Sequence, residues 1–490
     1  MSNERISVLH MPSIALGPGA SLEAGDHLQA LGVKRVFLVT DAFLLNSGLV
    51  APIEAAVRAT GLDVVVYAVP TGEPTEDSMR EAAEACVASG ADGVLGVGGG
   101  SALDSAKVAA LIATHGGTLR DWINAPLGGA RVPPGPLMPI VAVPTTSGTG
   151  SEVTAVAVLD LPSDKVKTGI AHPFLRPNIA LCDPELTVGL PAPITAASGI
   201  DALLHAAEAY TSIPYTQRPK PASASARPNY QGSAPMADIW VAEGISLVGK
   251  HLRRAVADGS DIKAREGMML AATAAGIGFG NAGVHIPHAC SYPIAGLKHA
   301  WSPPGYPGEA KFVPHGLACA ITAPAAFRLI EPAVPERSRR AAELLTGAPV
   351  DADDHDAFAR ALAQLMADVG CPTTITEVGY SEADLPDLVA GAMLQQRLLA
   401  CSPIPVGEAE LERVFRESLY VDQPRDVQKG SGTIWTLDDE LARLSNVQIV
   451  PDPFWTSQER DHNSKLIALV RLGFVNSFAS TLDPTASWSP

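Results

Sequence analysis

Basic side chains are in short supply: 35 Lys and Arg stand against 52 Asp and Glu, a formal charge of −17. Such a surface repels phosphate backbones, which excludes nucleic acid as a partner. Cysteine is also sparing. The six thiols, Cys86, Cys182, Cys290, Cys319, Cys371 and Cys401, include no CxxC pair. This argues against a disulfide framework or a thiolate zinc site and suits a reducing compartment. Long apolar runs are missing as well. The opening "MSNERISVLHMPSIALGPGA" has no basic flank leading into one, and no uninterrupted stretch elsewhere reaches the length that crosses a bilayer. A cytosolic protein with no membrane partner is expected. Aromatic residues make only 5% of the chain, whereas 47% is hydrophobic and Gly (44) and Pro (41) are plentiful. That balance excludes a disordered or fibrous chain and fits a soluble α/β enzyme.

The 490 residues allow two large domains or three smaller ones. From residue 34 the pattern alternates: "KRVFLVTD" is an apolar run ending in a charge, "LVAPIEAAVRATG" has helical spacing, and "LDVVVYAVP" is β-branched again. A second unit repeats the alternation with "MREAAEACVASG", "DGVLGVGGG" and "SALDSAKVAALIATHG", and "MPIVAVPTTSGTGSE" adds a strand ending in a Thr/Ser/Gly loop. Alternation of this kind predicts a parallel sheet with crossover helices over residues 1–184. From about residue 185 Ala- and Leu-rich helical patterns take over, such as "APITAASGIDALLHAAEAYTS", and predict an all-helical domain over residues 185–420. A Pro- and Ser-rich stretch, "IPYTQRPKPASASARPNYQGSAP", interrupts them and is too long for a turn. Residues 421–490 mix polar residues with Trp435, Phe454, Trp455 and Trp488 and read as a C-terminal extension of unknown role.

Two loops carry ligand chemistry. Gly98, Gly99 and Gly100 end a strand and Ser101 opens a helix bearing Asp104. Glycines let a phosphate approach the backbone, and a helix N-terminus supplies free N–H groups. The second loop crowds Thr145, Thr146, Ser147 and Thr149 after another strand. Loops at the carboxyl ends of neighbouring strands converge on the crevice where open α/β sheets bind dinucleotides. Asp41, ending "FLVTD", is placed to accept from ribose hydroxyls and to repel a 2′-phosphate, which favours NAD over NADP.

Metal chemistry is the second theme. "GIDALLHAAEAY" puts Asp201 and His205 four apart on one helical face, "GVHIPH" offers His285 and His288, and "FVPHG" offers His315. Three imidazoles with one carboxylate suit Fe²⁺, Zn²⁺ or a similar divalent ion. The same residues in an apolar setting also serve as hydrogen-bonded core groups, and composition alone does not choose which three histidines bind.

With these stretches in view, the chain resembles the iron-containing (group III) alcohol dehydrogenase family, and within it the hydroxyacid–oxoacid transhydrogenase branch. The likeness runs from about residue 8 to about residue 420 and rests on "GGGSALD", "PTTSGTGSE", "GIDALLHAAEAY", "GFGNAGVHIPHACSYPI" and "VPHG". It implies a dinucleotide-binding α/β domain followed by an all-helical, metal-binding and substrate domain, with NAD and a divalent metal, Fe²⁺ ahead of Zn²⁺. In the family's register the metal histidine falls on His288, so the implied ligands are Asp201, His205, His288 and His315. His285 becomes a neighbour one helical turn away. Tyr292 stands where many members carry a second histidine, and His285 and Tyr292 are the catalytic candidates. Gly98, Gly99, Ser101, Asp104, Thr145, Thr146, Thr149 and Lys167 resemble cofactor contacts, and Asp41 the ribose contact. Glu73 falls where Asn is common, so that contact is not carried over.

The branch implies hydride transfer between 4-hydroxybutyrate and 2-oxoglutarate. Arg218, Lys220 and Arg227 in the long loop are candidate carboxylate binders, since guanidinium groups suit bidentate carboxylate contacts. A homo-oligomer, a dimer, is expected. Three other readings compete: an NAD-dependent alcohol dehydrogenase releasing NADH, a metal-dependent lyase or cyclase of the dehydroquinate-synthase type, and a silent assembly protein with a structural metal.

Overall fold

The central strands of the sheet form where the sequence runs apolar, as in "GVLGVG" and "IVAVP". The computed structural model describes residues 3–420, apart from 165, 298–299 and 307–310, so the extension read from residue 421 lies outside the described residues. Eight strands occur among them: β1 (Ser13–Leu16), β2 (Arg35–Asp41), β3 (Asp63–Val69), β4 (Gly93–Gly98), β5 (Ile140–Pro144), β6 (Val156–Leu161), β7 (Val166–Ala171) and β8 (Ile179–Cys182). All but β6 and β7 join one parallel sheet in the order β1-β8-β5-β4-β2-β3. Every residue of β4, β5 and β8 is buried, as expected when helices cover both faces of a sheet. Val36, Leu38, Leu95 and Val141 pack on one face with Leu28 and Val57, while Phe37, Val39 and Val94 pack on the other with Cys86 and Ala106.

The sheet positions the site through its topology. From β2 the chain steps outward to β3 and then returns to the other flank of β2 as β4, so its direction reverses between β2 and β4. A crevice opens there at the carboxyl ends. Asp41 ends β2 and Gly98 ends β4, and Gly98 is in register with Pro144 of β5. The Thr145 N–H donates to the Gly98 carbonyl at 3.0 Å, which sets the two ligand loops side by side. The antiparallel ribbon of β6 and β7 was not expected from the sequence; its register pairs Asp160 with Lys167.

Beyond Cys182 the described residues contain helices and isolated bridges but no further strand. No single helix among them is long and apolar enough to cross a membrane. The helices share one core built largely of Ala and Leu, and the described residues form one compact unit. Helix Ala192–Thr211 is its axis. Gly148, in the second ligand loop, lies so close to this helix that a Cβ there would sit 2.8 Å from the Ser198 carbonyl oxygen. Gly316 brings helix His315–Ile330 against the same helix, where a Cβ would collide with the Ala197 carbonyl.

Overpacking a rigid contact costs about 1–3 kcal/mol. Gly316→Ala is therefore expected to lower the stability measured by urea unfolding by about that amount. Gly135→Ala, where an added methyl meets nothing within 4 Å, is the control and should fall within about 0.5 kcal/mol of the parent.

Candidate active site

The crevice between β2 and β4 opens into a cavity of about 900 Å³, lined at one end by Asp41, Gly99, Ser101, Thr145, Thr146 and Thr149. Helix Gly100–His115 starts there with Gly99 as its N-cap and no side chain capping it. Its first N–H groups are free for an anion, which is what a pyrophosphate needs. Gly98 lies one residue back, at the end of the strand. Asp41 accepts the Leu44 N–H (2.9 Å) with one oxygen and turns the other toward Gly98. The Ser101 hydroxyl donates to the Gly72 carbonyl at 2.7 Å, and Thr149 Oγ1 accepts the Ser151 N–H at 3.2 Å.

Asp104 and Lys167 stand in the cavity wall with their charges already matched. Asp104 Oδ1 accepts from Ser151 Oγ (2.6 Å) and Lys107 Nζ (3.3 Å), and Oδ2 accepts the Val158 N–H (2.8 Å). It is thus the counter-charge of the fully buried Lys107, whose pKa is held down by burial. Lys167 Nζ donates to Glu73 Oε2 at 2.7 Å and lies 3.7 Å from Asp160 Oδ1. Burial opposes its charge, but Glu73 and then Asp160 outweigh burial and raise its pKa. Glu73, which sequence comparison with the family set aside as a cofactor contact, holds Lys167 instead.

At the other end the cavity meets Asp201, His205, His288 and His315. Asp201 and His205 come from helix Ala192–Thr211, His288 from helix Ile286–Leu297, and His315 opens helix His315–Ile330. Asp201 Oδ1 lies 3.7 Å from His288 Nε2 and 3.9 Å from His315 Nε2, and Asp201 Oδ2 lies 3.8 Å from His205 Nδ1. These gaps are too long for hydrogen bonds. The two gaps to Asp201 Oδ1 match donors around one ion, since bonds of about 2.0–2.2 Å place neighbouring ligand atoms on the order of 3–4 Å apart, whereas His205 stands beside the other carboxylate oxygen. Asp201 Oδ1, His205 Nδ1 and His288 Nε2 are buried with no hydrogen-bond partner. Buried polar atoms rarely stay unpaired.

Protonation states fit a cation as well. Burial pushes His288 down to about 3 and His205 and His315 well below the ordinary imidazole range, leaving neutral rings with lone pairs to give. Burial, then Glu208, pushes the Asp201 carboxyl well up, so its ionised form needs a positive partner. Glu208 is fully buried and accepts the His288 Nδ1–H at 2.6 Å, which turns Nε2 of that ring toward Asp201. His205 is sandwiched between the rings of Phe279 and His288, with centroids 4.0 and 4.5 Å away.

Cys319 joins this group unannounced by the sequence. Its Sγ, with donor atoms of Asp201, His288 and His315, forms a cluster whose members all lie within 4.8 Å of one another, and His205 of the expected set is outside it. The available signal was its i, i+4 spacing from His315, which a lone cysteine did not bring to notice.

Two expectations need correction. His285 is fully buried and does not line the cavity: its Nε2 is 3.0 Å from Thr211 Oγ1 and its Nδ1 accepts the Ile286 N–H at 2.8 Å. It anchors the start of the helix rather than serving as a catalytic group. Arg218, Lys220 and Arg227 also lie off the cavity. Arg227 pairs with Glu4 at 3.1 Å, Arg218 reaches Cys401 Sγ at 3.8 Å, and Lys220 is exposed. Tyr292 does line the cavity, and so does Arg397, which the sequence did not single out.

Comparison with known proteins follows this geometry closely. Residues 12–184 match the model for iron-containing alcohol dehydrogenase, and residues 230–419 match the model for the C-terminal part of the Fe-containing alcohol dehydrogenase family. The chain belongs to the iron-containing alcohol dehydrogenase family. It is 40% identical over 412 residues to the mitochondrial hydroxyacid-oxoacid transhydrogenase of Bos taurus, covering 83% of this chain and 88% of that one. Among solved structures, a 1,3-propanediol oxidoreductase superposes with a TM-score of 0.73 at 31% identity, covering 85% of this chain and all (100%) of the other. A sulfoacetaldehyde reductase from Bifidobacterium kashiwanohense in complex with NAD+ gives 0.71 at 28% identity, covering 86% and 100%.

Like these relatives, this iron-containing alcohol dehydrogenase family member is an oxidoreductase. The mitochondrial relatives overturn the cytosolic placement. Six buried free thiols ask only for a reducing compartment and do not distinguish one such compartment from another.

Glu208 generates the test of this centre. Substituting groups that orient a ligating histidine weakens metal binding by about 10–100-fold. Glu208→Gln is expected to lose metal by that factor in competition with a chromophoric chelator, and stripping the parent protein of metal should lower its melting temperature.

Proposed function

We propose that this chain is a metal-dependent hydroxyacid–oxoacid transhydrogenase. A hydroxy acid, such as 4-hydroxybutyrate, and an oxoacid, such as 2-oxoglutarate, are its substrates, and a nicotinamide held by the crevice residues would supply the hydride chemistry between them. The observation that carries this reading is the single cavity joining Gly99 and Ser101 to Asp201, His205, His288 and His315. Hydride transfer needs both sites in one shielded space. The 40% identity to the bovine transhydrogenase supports the substrate class. NAD is favoured over NADP by the Asp41 carboxylate at the end of β2. Asp201 and the three imidazoles would hold the ion, with Fe²⁺ put first from the family's own name. When bound, such an ion supplies Lewis-acid polarisation of a substrate oxygen.

The chain's own residues do the rest. Free N–H groups at the start of helix Gly100–His115, with the hydroxyls of Thr145 and Thr146, bind the cofactor phosphates. Phe279, stacked on His205, keeps water from that side of the centre. Burial raises the Tyr292 hydroxyl to about 12, so it stays a protonated hydrogen-bond donor facing the cavity.

Proton accounting is compatible with the transhydrogenase. Among the described residues the imidazoles on the cavity wall all belong to the ligand set, and none is left to pass a proton outward. Oxidation of the hydroxy acid releases a hydride and a proton, and reduction of the oxoacid takes both up again. The complete cycle therefore releases no net proton. The second reading, an alcohol dehydrogenase that releases NADH, rests on the fold shared with the propanediol enzyme.

Metal-loaded protein given 4-hydroxybutyrate and 2-oxoglutarate without added NAD is expected to form succinic semialdehyde and 2-hydroxyglutarate in equal amounts. NADH accumulation with NAD and no oxoacid-dependent turnover would move the chain to the second reading.

A further inference from the structure

Arg397 presents an unmatched positive charge to the cavity. It sits in the short helix Gln396–Leu399 and lines the same space as the metal ligands. Its Nη1 is buried and finds no hydrogen-bond partner, and no carboxylate among the described residues figures among the groups that act on its charge. Its guanidinium carbon lies 4.8 Å from the centroid of the Tyr230 ring, and its polar neighbours are phenol hydroxyls, that of Tyr230, to which it hydrogen-bonds, and that of Tyr292, which burial keeps protonated. The other cation in the cavity wall, Lys167, is matched by Glu73 and Asp160. A buried guanidinium with an idle donor is costly unless an anion completes it.

We propose that Arg397 is the carboxylate anchor for both substrates, so that one subsite reads the acid group of the hydroxy acid and of the oxoacid in turn. This rests on the transhydrogenase reading and specifies its substrate class. The two acids share a spacing that such an anchor can read. In 4-hydroxybutyrate two methylenes separate the reacting carbon from the carboxylate. In 2-oxoglutarate two methylenes likewise separate the keto carbon from the distal carboxylate. A fixed guanidinium then places either reacting carbon at the same point, and acids with one methylene more or fewer are displaced from it. Arg397 acts as a specificity-determining residue.

The test compares 4-hydroxybutyrate with its neutral amide in the holoenzyme, and butyrate with butyramide as non-reacting ligands in calorimetry. The parent enzyme is expected to prefer the acid in kcat/KM by on the order of 100-fold. Arg397→Met should reduce that preference to about five-fold or less and abolish butyrate binding, with Arg397→Lys intermediate because it keeps the charge and loses the fork. Equal losses for acid and amide, or butyrate binding that survives Arg397→Met, would overturn the anchor while leaving transhydrogenase activity standing. Arg397-dependent butyrate binding in an enzyme with no oxoacid-dependent turnover would retain the anchor and remove the transhydrogenase reading.

Discussion

The contact of helix Ala192–Thr211 with two glycine-bearing segments is the constraint on which the rest of the molecule depends. Gly148 seats the second ligand loop on this helix, and Gly316 seats the helix that starts with His315. Along one face, at spacings of four and three, the same helix carries Asp201, His205 and Glu208. Two of these are donors facing the cavity, and the third orients His288 from behind. Sheet, cofactor crevice and metal centre are thereby held in one frame, at distances that neither part of the chain sets alone.

Charge is arranged with equal economy. Buried cations are paired where they serve the framework: Lys107 with Asp104, and Lys167 with Glu73 and Asp160. Buried polar atoms without a partner include Asp201 Oδ1, His205 Nδ1 and His288 Nε2 in the donor group and Nη1 of Arg397, a residue of the cavity wall. A low-dielectric interior makes each unpaired group costly in the empty site and selective in the filled one.

Much of the framework was legible along the chain. The strand over 34–41 became β2, the apolar run into glycines became β4, and the helix read from "SALDSAKVAALIATHG" is Gly100–His115. Each signal is local: β-branched runs, helical spacing and glycines at a strand end. The ribbon of β6 and β7 escaped notice because its strands alternate only partly between buried and exposed positions, and its pairing rather than its periodicity defines it.

The sequence by itself determined the fold class and the family, because periodicity and motif spacing are properties of neighbouring residues. The family resemblance put His288 ahead of His285 by register. Only the tertiary structure decided which of those side chains meet. His285 lies three residues from His288, yet it faces Thr211 in the core while His288 faces Asp201. The loop arginines were conspicuous in the text, but Arg218 and Arg227 are bound to Cys401 and Glu4. Arg397, from a helix of four residues with no motif, holds the cavity wall. Cys319 enters the donor cluster for the same reason. Composition and spacing specify what a chain can contribute to a site, whereas the direction of each side chain is set by packing between segments far apart in sequence.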